Sequence, residues 1–301
     1  MLAYRLKRCR GLTLIELLVA MAISAILIAA LYRTFIGQHR IYTVQEQVVD
    51  MQQNARVAIN RMMREIRMAG FGNVSNLLPL PAFTTFNEFQ VLTLNNIITP
   101  SDNKNNVTQS DDQITIIGAF EKISTLKTES VGGTNIIQLA GRGSEFDTEY
   151  RKYICIGGLE AHTVTNVVDN TITLSDNIAN KYSAGTPVYK VKAITYRLRW
   201  DNKNPNMPVL TREDNTDGGG TQVVAENIEN LQFRYILEDG SESDFPGDPS
   251  KIRMVKVTVH SRTSFPDLEF KSDPEFKVGV GGFRRRTIAS NILVRNMGAN
   301  P

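Results

Sequence analysis

Glu16 is the residue of this chain whose type and setting most directly suggest chemistry. It is the single charged side chain within an apolar run that covers residues 12–31. An ionisable group in the middle of a bilayer costs about 2.5–3.5 kcal/mol, and such groups usually mark a functional site. The run is preceded by Gly11 and by four cationic residues: Arg5, Lys7, Arg8 and Arg10. A carboxylate in this position needs an explanation that a plain membrane anchor does not supply.

The apolar run is long enough to form a membrane-spanning helix, since about 20 helical residues cross the hydrocarbon core. The leader cations stay cytoplasmic by the positive-inside rule, so the rest of the chain is expected outside the cytoplasm. Three fates of the segment compete: removal as a secretory signal peptide, retention as an anchor, and cleavage between Gly11 and Leu12. The signal peptide is disfavoured, because its small-residue site at Ala20 and Ala22 falls in the middle of the run.

Residues 11–17 read Gly-Leu-Thr-Leu-Ile-Glu-Leu and carry a family resemblance. The segment resembles the cleavage and methylation motif of type IV prepilins and of the related pseudopilins of type II secretion. The resemblance implies that the prepilin peptidase cuts after Gly11 and methylates the new amino terminus at Leu12. Leu12 stands where phenylalanine is commonest in the family, which is a small departure.

Cleavage after Gly11 would leave a cationic amine on Leu12, and this amine gives Glu16 a partner. Residues 12 and 16 lie one helical turn apart on the same face, and a carboxylate suits the positive end of a helix. Glu16 can pair with its own amine or, as the family resemblance implies, with that of a neighbouring subunit, which sets the register of a filament. We expect Gly11 and Leu12 to form the processing site, and Glu16 with Thr13 to serve assembly.

The charge of the chain argues against one class of partner. The 301 residues suffice for one sizeable domain or two small ones, and the formal net charge is +3. The leader carries four cations and no acids, so its loss lowers the net charge by four to −1. Nucleic-acid binding needs a basic surface, and no nucleic-acid partner is expected.

A helical pattern continues beyond the apolar run. We predict a helix over residues 12–72, of which 12–32 span the membrane, ending at Gly70 and Gly72. Apolar positions recur at steps of three and four: Ile41, Val44, Val48, Met51, Ala55, Ala58, Met62, Ile66 and Ala69. Such a stripe packs beneath a sheet or forms a coiled coil, and we favour the sheet because apolar stripes usually face their own domain's core.

Three later stretches are similar to PilW-type minor pilins: residues 52–72, 225–235 and 283–296. The J-type pseudopilin of type II secretion also combines a long helix with a β-rich domain.

Of the two cysteines, Cys9 would leave with the leader, so Cys155 has no intrachain partner and is expected in a buried strand. Many major pilins close a C-terminal loop with a disulfide, and its absence favours a minor pilin.

Residues 73–301 are predicted to form a β-rich extracytoplasmic domain, because short β-type runs alternate there with Asn-, Asp- and Gly-rich segments. The expected strands are 113–117, 135–139, 153–156, 162–168, 171–174, 187–191, 195–200, 223–225, 231–237, 252–261 and 287–294. A turn is expected at Asp169 and Asn170. The fold class is therefore α+β, a long N-terminal transmembrane and amphipathic helix packed on an antiparallel sheet.

Motifs for catalysis or cofactor binding are weak in this sequence. His39, His162 and His260 lack metal-ligand spacing, and no phosphate-binding loop or nucleophile elbow is present. Residues 213–218 are a loose match to a calcium loop, which an acidic turn explains better. The basic residues 284–286 are expected at a solvated strand end rather than in an acidic-partner site. No cofactor and no metal are expected.

Taken together, the sequence predicts a minor pilin that takes part in type IV pilus assembly, in a priming or tip complex, and that is not an enzyme. The resemblance implies the prepilin peptidase, the major pilin, other minor pilins and a tip adhesin as partners. It also implies an inner-membrane location before assembly and a pilus location afterwards. The alternatives are a J-type pseudopilin of type II secretion and a membrane-anchored binding module or enzyme.

Overall fold

The computed structural model describes residues 13–84, 90–102, 111–216, 220–267, 270 and 282–297. One long helix, α1, covers Leu14–Arg67. Short 3₁₀ helices cover Val74–Leu77, Gly143–Glu145 and Pro249–Lys251. The strands are β1 Leu80–Thr84, β2 Gln90–Leu94, β3 Ile98–Ser101, β4 Gln113–Thr125, β5 Ile136–Gln138, β6 Tyr153–Ile156, β7 Glu160–Val168, β8 Thr171–Leu174, β9 Pro187–Trp200, β10 Pro208–Asp214, β11 Gly220–Glu226, β12 Ile228–Leu237, β13 Glu242–Ser243, β14 Ile252–Arg262 and β15 Arg285–Leu293.

The chain divides into two compact units, Met1–Val49 and Asp50–Pro301. In the first unit, α1 exposes its large apolar side chains, among them Leu14, Leu27 and Leu31. The helix is long and apolar enough to cross a membrane. An N-terminal hydrophobic helix of this kind suits a membrane-anchored prepilin.

In the second unit, α1 buries one face against β-strands. Its buried apolar residues are Met51, Ala55, Ala58, Ile59, Met62 and Ile66. Most of them share one core with strand residues such as Leu210, Phe233 and Val257. The small alanines let the helix approach the sheets closely, while Met and Ile fill the space between them. The preference for packing against a sheet over a coiled coil is thereby confirmed, and so is the α+β class.

Within the described residues, the strands form three antiparallel sheets. The largest has nine strands in the order β11-β10-β9-β6-β7-β8-β5, with β4 also paired to β9 and β3 paired to β4. A four-stranded sheet has the order β13-β12-β14-β15, and β1 pairs with β2. Burial alternates along β14, as expected for a strand with one face on the core.

Every predicted strand has a counterpart in the structure, and several boundaries differ. The two runs predicted at 187–191 and 195–200 are a single strand, β9, because Lys192 between them is ion-paired and its side chain is only 11% exposed. The last apolar run is a strand, β15, as predicted. Asp169 has a φ of 52° at the predicted turn between β7 and β8. Strand β10 was not predicted, because three of its seven residues are charged.

The helix ends earlier than predicted. Its last residue is Arg67, and residues 68–73 form turns in which Gly70 has a φ of +80°. The Gly70 N–H donates a 2.9 Å hydrogen bond to the carbonyl of Ile117 on β4. A contact with the sheet therefore stops the helix before Gly72.

Candidate functional site

Thr13 and Glu16 bind each other at the first turn of α1. The backbone N–H and the hydroxyl of Thr13 both donate to Oε2 of Glu16, each at 2.9 Å. The Glu16 N–H donates back to Thr13 Oγ1 at 3.3 Å. This reciprocal pattern is a capping box, which satisfies backbone N–H groups that a helix start leaves unpaired. The predicted processing residues Gly11 and Leu12 lie outside the described residues.

The capping box fixes where the carboxylate of Glu16 lies relative to the chain start. Thr13 directly follows the residue that cleavage would make the amino terminus. The carboxylate is therefore held at the positive end of the helix, close to where a new amine would appear. The signal for this contact was present in the sequence, because Thr and Glu three residues apart before an apolar run is the capping-box pattern.

A second polar site, which sequence reasoning missed, lies where α1 meets the large sheet. The carboxylate of Glu65 accepts a 2.6 Å hydrogen bond from Tyr196 and bonds of 3.0 and 3.1 Å from Arg212 Nε. Arg61, one helical turn earlier, lies 3.1 Å away. Burial, and secondly the charge of Glu65, raises the pKa of Tyr196. For Arg212, burial lowers the pKa, but the attraction of Glu65 outweighs this effect, so the pKa is raised. These bonds anchor the helix to β9 and β10.

The acidic residues that loosely resembled a calcium loop bind cations of this chain. Glu213 accepts hydrogen bonds from both Nε and Nη2 of Arg197 and lies 2.7 Å from Arg199. Asp214 lies 2.9 Å from the ammonium group of Lys192. All the strand residues of β10 are buried, so these ion pairs compensate the loss of hydration. These ion pairs hold the described part of the segment, and Asp217 and Gly218 lie outside the described residues.

The histidines lie in separate environments. His162 on β7 is buried between Glu160, at 3.3 Å from Nε2, and Asp176, at 3.0 Å from Nδ1. His260 on β14 contacts the hydroxyl of Thr287 at 3.0 Å. His39 is exposed on α1. The structure brings no two of them together.

The basic residues 284–286 have different surroundings. Arg284 pairs with Asp267 at 2.9 Å, and Arg285 makes a bidentate pair with Glu229 at 2.6 and 3.0 Å. Arg286 is exposed. Two of the three cations therefore hold neighbouring segments of the domain.

Cys155 is a buried core residue of β6, as predicted. Burial raises the pKa of its thiol to about 12. Its sulfur lies against Gly72, where an added Cβ would come within 2.7 Å of Sγ. A thiol in this setting is inert packing rather than a nucleophile.

Comparison with known proteins identifies the N-terminal segment. Residues 6–32 match the family model for the prokaryotic N-terminal methylation motif. The matched segment includes Gly11, Thr13 and Glu16. No curated protein and no solved structure matched the chain. The chain thus carries the N-terminal methylation motif of the type IV pilin and pseudopilin superfamily, and this motif implies processing by the prepilin peptidase.

Proposed function

We propose that this chain is a minor pilin of the PilW type that takes part in the assembly of a type IV pilus, in a priming or tip complex. Its role is structural and not enzymatic. The observation that carries the proposal is the bonded pair Thr13–Glu16 at the start of an exposed apolar helix, inside a segment that matches the methylation motif.

Processing would act on the bond between Gly11 and Leu12. Hydrolysis gives a carboxylate on Gly11 and a cationic amine on Leu12, and methyl transfer from a methyl donor keeps that amine basic. The amine would then compete with Thr13 for the carboxylate of Glu16. Within a subunit this pair neutralises two charges in lipid, and between subunits it sets the position of one helix against the next.

Location and partners follow from the same proposal. The apolar part of α1 would hold the subunit in the inner membrane, with the β-rich domain in the periplasm, and would enter the filament core on assembly. The major pilin, other minor pilins and a tip adhesin would be its partners. A minor role, rather than that of a shaft subunit, is supported by Cys155, which is buried without a disulfide partner.

Mass spectrometry of the amino terminus of the purified protein tests the proposal. The expected product begins at Leu12 and carries one added methyl group. A peptidase-deficient strain is the control and should yield a chain that retains residues 1–11. Protein from assembled pili that still carries those residues would contradict the proposal, because the charge of Glu16 in the apolar helix would then have no terminal amine to meet.

A J-type pseudopilin of type II secretion would undergo the same processing. A role in pilus assembly and a role in type II secretion are distinguished by deleting the coding region and measuring both piliation and protein secretion. We expect pili to be lost and secretion to persist. Loss of secretion with normal piliation would favour the pseudopilin instead.

A further inference from the structure

A groove of about 490 Å³ lies between α1 and the edge of the nine-stranded sheet. The helix contributes Val57, Arg61 and Arg64 at a spacing that places them on one face. Strand β10 contributes Arg212, and strand β11 contributes Val223. The groove therefore combines cationic and apolar side chains next to a strand edge.

The groove has a net positive charge. Three of its lining residues are arginines, and two of them share the carboxylate of Glu65, at 3.1 Å from Arg61 and 3.0 Å from Arg212. Arg64 is exposed on α1. Neighbouring acids do not cancel this charge, because Glu213 is paired with Arg197 and Asp214 with Lys192.

One wall of the groove is an edge strand. Strand β11 stands at the end of the sheet order, and within the described part of the chain it pairs with β10 alone. Its residues 220–223 are exposed, Val223 to 51%. The strand contains neither lysine nor proline, which commonly protect an edge from pairing with another chain. A strand of this kind can accept a further strand through its backbone.

We infer that this groove binds an extended, acidic segment of a partner subunit. The segment pairs with the open edge of β11. Its carboxylates face α1 and meet Arg61 and Arg64, and its intervening apolar side chains point to the opposite face of the sheet, where Val223 is exposed. A small anion would use the arginines alone and would leave the strand edge and Val223 without a partner. The inference rests on the proposed function in taking the partner to be another pilus subunit.

A peptide titration of the full chain in non-ionic detergent tests the inference. The probe is a fluorescent peptide of roughly eight residues that alternates Glu and Val, long enough to cover the strand. Binding is followed by fluorescence anisotropy. We expect saturable binding that weakens with salt, and about tenfold or greater loss of affinity in the Arg61→Gln/Arg64→Gln variant, because two charge-assisted hydrogen bonds to the peptide are lost.

Matched controls distinguish peptide binding in the groove from nonspecific electrostatic attraction to the chain. The Arg56→Gln/Arg67→Gln variant removes the same charge from exposed positions outside the groove and should bind like the unmodified chain. Arg64→Gln alone leaves the Arg61–Glu65 pair intact and should still weaken binding. A peptide of the same sequence with methylated alternate amides should bind poorly, because it cannot extend a sheet.

Three results would overturn the inference. They are equal weakening in both double variants, equal binding of the methylated peptide, and full displacement of the peptide by millimolar inorganic phosphate. The assay does not depend on leader cleavage. Failure here together with a methylated Leu12 would reject the groove and leave the proposed function standing.

Discussion

The phenol of Tyr196 on β9 donates a 2.6 Å hydrogen bond to the carboxylate of Glu65 on α1, and both residues are buried. Arg212 on β10 neutralises the same carboxylate. The bond joins residues far apart in sequence and fixes the rotation of the helix over the sheet. A helix held by apolar contacts alone could slide or rotate at lower cost, because apolar packing is less directional than hydrogen bonding.

We expect Glu65→Ala to destabilise the domain by about 3–5 kcal/mol, because it leaves the buried Arg212 without a partner. Urea unfolding of the detergent-solubilised chain, followed by circular dichroism, measures the change. The matched control is Glu129→Ala, which removes an exposed ion pair with Lys181 and should cost about 0–1 kcal/mol. Similar losses in the two variants would contradict the anchoring role of Glu65.

Gly72→Ala should destabilise the domain more than Gly185→Ala. Both glycines have positive φ, +94° and +87°, so both substitutions incur the backbone strain. Only at Gly72 would the new Cβ meet Cys155 Sγ at 2.7 Å, whereas nothing lies within 4 Å at Gly185. Thermal unfolding of the two variants should therefore differ. Partial rescue of Gly72→Ala by Cys155→Ala would identify the clash as the cause, and equal melting temperatures would contradict it.

Stability should fall as the pH rises from about 9 towards 12. Burial raises the pKa of Cys155 from 9.0 to about 12 and that of Tyr153 from 10.0 to about 12. The folded state therefore prefers the neutral forms, and their contribution is complete below the unfolded-state pKa and is lost as the pH approaches the folded-state pKa. Denaturant midpoints measured across this window should decline.

Cys155→Ala isolates the thiol in the same experiment. The variant should lack the part of the decline that begins near pH 9 and should retain the part that begins near pH 10. Identical pH profiles for the variant and the unmodified chain would show that the thiol does not contribute. An increase in stability above pH 9 would contradict the assignment for both groups.

Glu16→Ala should leave the protein in the membrane but impair initiation of filaments. The apolar segment remains intact, while the amine that the proposed cleavage would create on Leu12 loses its partner. Glu16→Gln preserves shape and hydrogen bonding to Thr13, so a similar defect in that variant would assign the effect to charge. Membrane fractionation and electron microscopy of pili give the two measurements, and Glu46→Ala, at an exposed position of α1, is the control. Normal piliation in Glu16→Ala would refute the role.

Apolar periodicity accounts for much of the fold that could be predicted. The stripe through Met51, Ala55, Ala58, Met62 and Ile66 is buried, because a helix must place residues of this spacing on one face. Alternation likewise predicted β14, whose odd and even positions face different surroundings. Upstream, Ile41 continues the pattern but is exposed. The pattern alone does not tell at which residue the contact between helix and sheets begins.

The sequence could not reveal the buried charges. Strand β10 resembles a polar loop in sequence, because it contains Arg212, Glu213 and Asp214. Their ion-pair partners on α1 and β9 explain how this strand can be buried. Pairing of this kind depends on residues that are distant in sequence, so no local pattern reports it. The capping box at Thr13 and Glu16 is local by contrast, because the two residues lie three positions apart and this spacing can be recognised in the sequence.

Helix α1 runs without interruption from an apolar segment into the core of the β-rich domain. A recombinant fragment that begins at residue 73 would lack the helix residues that share a core with Phe233 and Val257. These two side chains would then be exposed to water. Useful truncations should therefore begin before Met51. The same continuity means that residues 51–67 belong both to the long helix and to the interior of the domain, so no cut between helix and sheets can release an intact domain.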